Sequence, residues 1–428
     1  MKVLLLGSGG REHAIAWKLV ESSLLGELHI APGNAGMESI RPVQPQMAPN
    51  LDPMDIPAVQ RYVKRNDIQL VVVGPEAPLV AGLADALEAD GIAVVGPGAK
   101  GAQLEGSKDF AKSFMARHNI PTAAYKTFTA AQIDEAIAFL DTFKAPYVLK
   151  ADGLAAGKGV VIASDKAEAE ATLRDMLLDQ RFGEASAQVV IEEFLDGIEV
   201  SMFAITDGHS FHLLPSAKDY KRVGEGDTGP NTGGMGAISP VPFVSPEFQE
   251  KALNQIIIPT IKGLQSDGIP YKGFIFFGLM KVGGDPYVIE YNCRLGDPET
   301  EVIMPRMKSD LLHLFDSLTT GMLSEYDLVI DERSASTVIL ASAGYPDQYE
   351  KGVEIHGADT AMPRGVVFHA GTKNFRNKLV TNGGRVMALT GWGSTLDEAL
   401  RNSYALAEKV TFDGAFFRKD VGSDVRDN

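Results

Sequence analysis

Short runs that are apolar throughout, separated by stretches of helical periodicity, set the rhythm of the first hundred residues. Val3–Leu6, Leu28–Ile30, Leu70–Val73 and Ala93–Val95 read as strands buried on both faces. Each runs into a Gly- or Pro-containing loop: Gly7–Gly10, Pro32–Gly36, Gly74–Pro78 and Gly96–Gly98. Strands alternating with helices predict a parallel βαβ sheet, whose ligands sit at the carboxyl ends of the strands. From Gly106 the texture changes. Ser107 caps a helix through Met115, which Ile120-Pro121 ends. Tyr147–Lys150 and Val160–Ala163 are strands joined by the Gly-rich Ala151–Gly159, and Lys166–Leu178 is helical. Two further strands flank a hinge at Asp196-Gly197. Lys218–Gly236 is the least regular segment, read as an ordered loop that contacts an anion through Lys218, Lys221 and Arg222. After a helix over Phe248–Ile261, Tyr271–Lys281 and Tyr287–Cys293 form a hairpin around Val282–Pro286. Ser336–Ala341, Val366–His369, Leu379–Thr381 and Arg385–Thr390 are strands of a closing sheet. Thr395–Glu398 is a capping box that opens a helix to about Val410, and Gly422–Asn428 is expected to be a frayed tail.

A chain of 428 residues carries about three domains. The expected bounds are 1–103, 104–325 with a lid over about 123–188, and 326–428. A net charge of −16 argues against a nucleic-acid or membrane-surface binder but leaves room for a locally basic pocket. Cys293 is the only cysteine, so no intrachain disulfide forms; it reads as a small buried strand residue in a cytoplasmic protein. No apolar run is long enough to span a bilayer.

The chemistry concentrates in Tyr287–Glu301. Strand alternation puts Glu290, Asn292 and Arg294 on one face and Ile289, Tyr291 and Cys293 on the other. A carboxylate and an amide oxygen on one rigid strand make half a site for Mg²⁺, which takes its other ligands from water and substrate phosphates. Arg294 suits a carboxylate or phosphate, and Gly296-Asp-Pro-Glu299 turns the chain and adds two acids. Lys150 and Lys158 bracket a loop small enough for backbone amides to approach phosphate. It is not a Walker A loop, because Asp152 stands at the first glycine position and Gly159 follows Lys158. Gly7–Glu12 likewise fails as a dinucleotide fingerprint: its sixth residue is Glu12, and Ala31-Pro32 follows the second strand in place of an acid. What remains there is an anion-binding loop at a helix start, or a tight turn without a ligand. The edge around Glu192, Glu193 and Leu195 can offer backbone groups to an adenine, with Glu199 placed to meet a ribose; a solvated strand edge is the plainer alternative.

Four stretches together, Gly7–His13, Ala151–Gly159, Gly229–Gly236 and Arg294–Glu301, resemble the glycinamide ribonucleotide synthetase family of ATP-grasp ligases in the family's order. Where that family sometimes has glutamine after Glu-Thr, this chain has Glu301. The resemblance implies an α/β and α+β multidomain protein: an N-terminal βαβ domain, a central ATP-grasp domain with a small lid subdomain, and a C-terminal sheet-plus-helix domain. It implies ATP-dependent ligation of glycine to 5-phosphoribosylamine via glycyl phosphate, in a monomer with no nucleic-acid or membrane partner. It puts Mg²⁺ or Mn²⁺ on Glu290 and Asn292. Phosphates fall to Lys108 and Lys150 under the Gly153–Gly159 loop, which includes Gly157 and Lys158, adenine to the backbone near Glu192, Glu193 and Leu195, and the ribose to Glu199. Arg294, Gly296, Asp297 and Asp219 would hold glycine and orient the acyl phosphate; Gly9, Gly10 and Glu76 would meet the phosphoribosylamine. Other ATP-grasp ligases, a nicotinamide-dependent oxidoreductase and a non-catalytic nucleotide-binding regulator are the competing readings.

Overall fold

The computed structural model describes residues 1–155 and 159–425. β1 (Lys2–Gly7) leads into α1 (Gly10–Leu19), β2 (Glu27–Pro32) and a short β3 (Gln46–Met47); α2 (Ile56–Arg65), β4 (Leu70–Val73), α3 (Glu76–Val80), α4 (Leu83–Ala89) and β5 (Ala93–Val95) follow. The five strands are parallel, in the order β3-β2-β1-β4-β5. Leu4 and Leu6 enter one hydrophobic core, Val3 and Leu5 another, which is why β1 is apolar throughout. Because β2 and β4 lie on opposite sides of β1, the loops after β1 and β4 meet where the winding reverses, and a crevice opens at such a point.

α5 (Ala99–Gly106) and α6 (Lys108–Arg117) lead to the lid: β6 (Tyr125–Thr129), α7 (Ile133–Phe139), β7 (Tyr147–Ala151), β8 (Val160–Ala163), α8 (Lys166–Leu177) and β9 (Gln188–Glu192). Its antiparallel sheet, β6-β9-β7-β8, has a core of its own around Phe128, Leu149, Leu173, Met176 and Val189. Ser107 caps α6 as expected, its Oγ accepting from Phe110 N at 3.1 Å.

β10 (Ile198–Thr206) and β11 (Phe211–Leu213) begin a second sheet. The following segment corrects the expectation of irregularity, because it is built of short strands: β12 (Lys218–Asp219), β13 (Arg222–Gly224), β14 (Thr228–Asn231) and β15 (Gly236–Ser239). β13 and β14 pair as a hairpin, while β12 and β15 pair and join the closing sheet. α9 (Pro246–Ala252), a π-helical turn and α10 (Ile258–Ser266) precede the hairpin of β16 (Gly273–Val282) and β17 (Asp285–Asn292). Its turn residues Gly283 and Gly284 have φ of 57° and 94°, the left-handed geometry that two-residue hairpins favour. Glu290 opposes Gly278 and Val288 opposes Leu279, so Ile289 is left over as a bulge. The sheet order is β11-β10-β16-β17.

α11 (Thr300–Ile303) and α12 (Leu311–Thr320) lead to β18 (Ser334–Ser342), β19 (Gly365–His369), β20 (Thr372–Phe375), β21 (Lys378–Thr381), β22 (Arg385–Gly393), α13 (Leu396–Ala407) and β23 (Ala415–Phe416). The closing sheet runs β12-β15-β18-β22-β19, with β23 on β18. The capping box of α13 forms by half: Thr395 Oγ1 accepts from Glu398 N at 3.2 Å, but the Glu398 carboxylate takes Ser394 N and Oγ at 2.9 and 2.8 Å. The frayed tail is also corrected for residues 422–425. Tyr220 OH donates to Asp424 at 2.7 Å and accepts from Gly422 N at 2.8 Å, Lys218 lies 3.0 Å from Asp424, and Val425 is buried. Among the described residues no helix is long and apolar enough to cross a membrane.

Candidate active site

A cleft of about 830 Å³ opens between the lid, the β16–β17 hairpin, the β12–β14 segment and the rim of the parallel sheet. On the lid side, Lys108 enters from the first turn of α6 and Lys150 from the end of β7. Lys150 Nζ lies 3.0 Å from Glu192 and donates to Ile289 O at 2.9 Å, so the bulge on β17 gives it an acceptor. Lys112 holds the other Glu192 oxygen at 2.8 Å and reaches Thr122 Oγ1 at the same distance. Burial pushes the Glu192 carboxyl up, but Lys150 and Lys112 outweigh it and hold the group below its ordinary range. Glu192 is therefore a buried ion-pair centre and not a solvated edge. Glu193 is exposed, and its backbone N–H already donates to Ala124 O at 2.9 Å, so that N–H is not open to a ligand.

The opposite wall carries the metal candidates. Burial raises the Glu290 carboxyl, yet Lys221, Lys150, Lys108 and Arg294 together bring it below its ordinary value. Asn292 donates through Nδ2 to Tyr291 O at 3.0 Å and to Glu105 Oε1 at 3.1 Å in the orientation that satisfies its neighbours, so its Oδ1 is on the side away from them. An ionised carboxylate and an amide oxygen from alternate positions of one strand fit Mg²⁺. Among the described residues no three His, Cys, Asp or Glu side chains form a cage for a metal, so such an ion would need phosphate or water ligands. Lys221 pairs with Glu199 and lies 3.5 Å from Glu290. Burial pushes Glu199 up against the pull of Lys221, and pushes Asp219 up to about 6.

The turn after β17 faces the parallel sheet. Arg294 reaches Glu105 at 2.7 Å and Glu76 at 3.3 Å, joining the α3 and α5 ends to the strand. Asp297 accepts from Arg11 N at 3.3 Å and lies 3.0 Å from Arg385, which also donates to Asp297 O and Gly233 O at 2.8 Å each. Burial opposes the Asp297 charge, but Arg385 and Arg11 hold its carboxyl low. The two glycines that start α1 are packed against this turn. A Cβ on Gly9 would come within 3.1 Å of Asp297 Oδ2, and one on Gly10 within 2.3 Å of Glu301 Oε1. Glu301 itself is fully buried, without a hydrogen-bond partner on either oxygen, and burial and then Asp297 push its carboxyl well up. His13 and His369 meet at the same junction, their ring centroids 5.6 Å apart and tilted by 54°, and burial lowers them to about 3 and about 4, which leaves both uncharged at neutral pH.

The cleft thus gathers Lys108, Lys150, Glu192, Glu193, Leu195, Glu199, Asp219, Glu290, Asn292, Arg294, Gly296, Asp297 and Glu76 of the expected residues. Gly9 and Gly10 support its rim without lining it, and Gly153 packs on Ala185. Gly157 and Lys158 lie outside the described residues. Sequence reasoning missed Arg11, Glu105, Lys112 and Arg385, which all line the cleft, as does Glu299 of the expected turn.

A lid sheet that bears a lysine, closed over a hairpin that bears a carboxylate and an amide, defines an ATP-grasp enzyme. Comparison with known proteins agrees. The model of the phosphoribosylglycinamide synthetase N domain matches residues 1–105, that of the ATP-grasp (A) domain 106–300, and that of the C domain 335–424. The chain belongs to the phosphoribosylglycinamide synthetase family. It is 47% identical over 430 residues to the phosphoribosylamine–glycine ligase of Yersinia pestis, with 99% of this chain and 98% of that one covered. The crystal structure of phosphoribosylamine–glycine ligase from Thermotoga maritima superposes with a TM-score of 0.83 at 38% identity, over 98% of this chain and all of the other. The biotin carboxylase domain of a 2-oxoglutarate carboxylase from Hydrogenobacter thermophilus, solved with MgADP, shares the fold with a TM-score of 0.75 at 15% identity, over 97% of this chain and 91% of that one.

Proposed function

We propose that this protein joins glycine to 5-phosphoribosylamine in purine biosynthesis, converting ATP to ADP and phosphate. A glycine carboxylate oxygen attacks the γ-phosphorus while the bond to the ADP oxygen breaks, giving glycyl phosphate. The phosphoribosylamine nitrogen then attacks the carbonyl carbon, phosphate leaves, and the nitrogen loses a proton to give the amide. Such phosphoryl transfer depends mostly on positioning and on neutralising charge. The observation that carries the reading is that one cleft holds the Lys108–Lys150 pair, the Glu290–Asn292 face and the Arg294–Asp297 turn.

Lys108 and Lys150 bind phosphate oxygens; burial lowers Lys108, so its charge is satisfied by bringing an anion beside it. Glu290 and Asn292 hold Mg²⁺, or Mn²⁺ in its place, and the ion neutralises phosphate charge when bound. Glu199 faces the ribose, Leu195 the adenine. Arg294 and Gly296 hold the glycine carboxylate, with Asp219 and Asp297 beside it. The phosphoribosylamine approaches from the rim made by Gly9, Gly10 and Glu76. The buried, unpaired Cys293 suits the cytoplasm.

The test is ADP release with ATP and Mg²⁺, adding glycine and freshly generated phosphoribosylamine singly and together. Release that needs both, with the amide product seen by mass spectrometry, is expected. Release with a different carboxylate–amine pair, and none with this one, would reassign the substrates within the ATP-grasp ligases.

A further inference from the structure

Glu105 lies in the last turn of α5, where the parallel-sheet domain hands the chain to the lid, and its side chain is 7% exposed. It gathers groups from three consecutive residues of the site strand. Oε2 accepts from Cys293 N at 2.8 Å and Cys293 Sγ at 3.3 Å, while Oε1 accepts from Arg294 Nη2 at 2.7 Å and Asn292 Nδ2 at 3.1 Å. An Asn amide has almost the same shape either way round, and only one orientation offers oxygen to a cation. With Nδ2 bonded to both Tyr291 O and Glu105, the oxygen is turned to the other side. The guanidinium is fixed in the same way: Glu105 on Nη2, Glu76 on Nε and Leu295 O on Nη1.

We infer that Glu105 is a positioning residue for two ligands at once, setting the Asn292 oxygen toward the metal and the Arg294 fork toward the substrate carboxylate. The inference rests on the metal reading of Glu290 and Asn292 given above. Partners one bond behind metal ligands commonly govern affinity as strongly as this. A Glu105 that merely balanced the Arg294 charge would leave metal affinity alone.

The measurement is Mn²⁺ binding in the presence of ADP, read from loss of the free-ion electron paramagnetic resonance signal. Glu105→Gln sets an amide against the Asn292 amide and is expected to raise the Mn²⁺ dissociation constant about tenfold or more. Glu105→Asp, which keeps the charge but withdraws it by one methylene, shifts it the same way and decides the matter should the Gln variant not fold. The exchange Glu105→Gln with Asn292→Asp restores an acid–amide pair with its carboxylate on the metal side. It is expected to recover binding to within about threefold of wild type. Both single variants also raise the KM for glycine through Arg294. Mn²⁺ affinity within about twofold of wild type in either folded Glu105 variant overturns the inference, as does an exchange variant no better than Glu105→Gln. Wild-type protein that binds no Mn²⁺ with ADP would instead remove the metal reading on which it rests.

Discussion

Glu290 is held ionised by four cations, in a wall where burial alone would protonate it. Removing that carboxylate in Glu290→Ala leaves the lysines in place but takes away half the metal site. Turnover should fall by about three orders of magnitude while the circular dichroism spectrum and melting temperature stay near wild type; normal Mg²⁺-dependent turnover would sink the assignment. Asp219 is the converse case, with a folded pKa of about 6 against an ordinary 3.8. A carboxyl raised on folding costs nothing below its unfolded pKa. The cost grows as pH rises through the interval between the two values and is complete above the folded one. Asp219→Asn is therefore expected to stabilise the ligand-free protein above pH 6 by about 2–3 kcal/mol, with the gain vanishing below pH 4. Urea unfolding at pH 4, 5, 6 and 8 reads this directly, and a gain that does not grow with pH would refute it.

At the scale of elements, α6 delivers Lys108, and its first turn is set by one side chain. Ser107 Oγ accepts from Phe110 N and donates to Asp152 at 3.0 Å, tying the helix start to the lid loop. Ser107→Ala should cost about 1–2 kcal/mol in urea unfolding and raise the KM for ATP more than it lowers kcat, since Lys108 loses its fixed entry. A KM for ATP equal to wild type would show that the cap serves stability alone. The elements that sequence pattern revealed share a reason: buried strands such as β4 and β5 are apolar throughout, and Gly or Pro punctuates their ends. The β12–β15 segment stayed hidden because its strands are two to four residues long and β15 pairs with β18, roughly a hundred residues further on. Glu105 and Arg385 were invisible for a related reason. In sequence each is an ordinary charge at the end of a helix or the start of a strand, and only tertiary contact gives it Cys293 or Asp297 as partner. Glu290, Asn292 and Arg294 were legible because strand alternation alone places them together.

Across the whole molecule, Arg385 is the bolt between the closing sheet and the turn that bears Asp297. It also grips Gly233 O, so one guanidinium joins β22, the turn after β17 and the end of the β12–β14 segment. Arg385→Met is expected to lower turnover about tenfold or more and to move the acid limb of the pH–rate profile upward, because Asp297 loses the cation that holds its carboxyl low. A limb that does not move would mean that Arg385 acts through packing only.

That bolt also orders events during synthesis. Arg385 leaves the ribosome 88 residues after Asp297, by which time the lid and the β16–β17 hairpin have been made. Until it arrives, the Asp297 carboxylate lacks its first counter-charge and Asp297 O lacks its guanidinium donor. The last sheet to be translated thus fastens a turn that was made long before it.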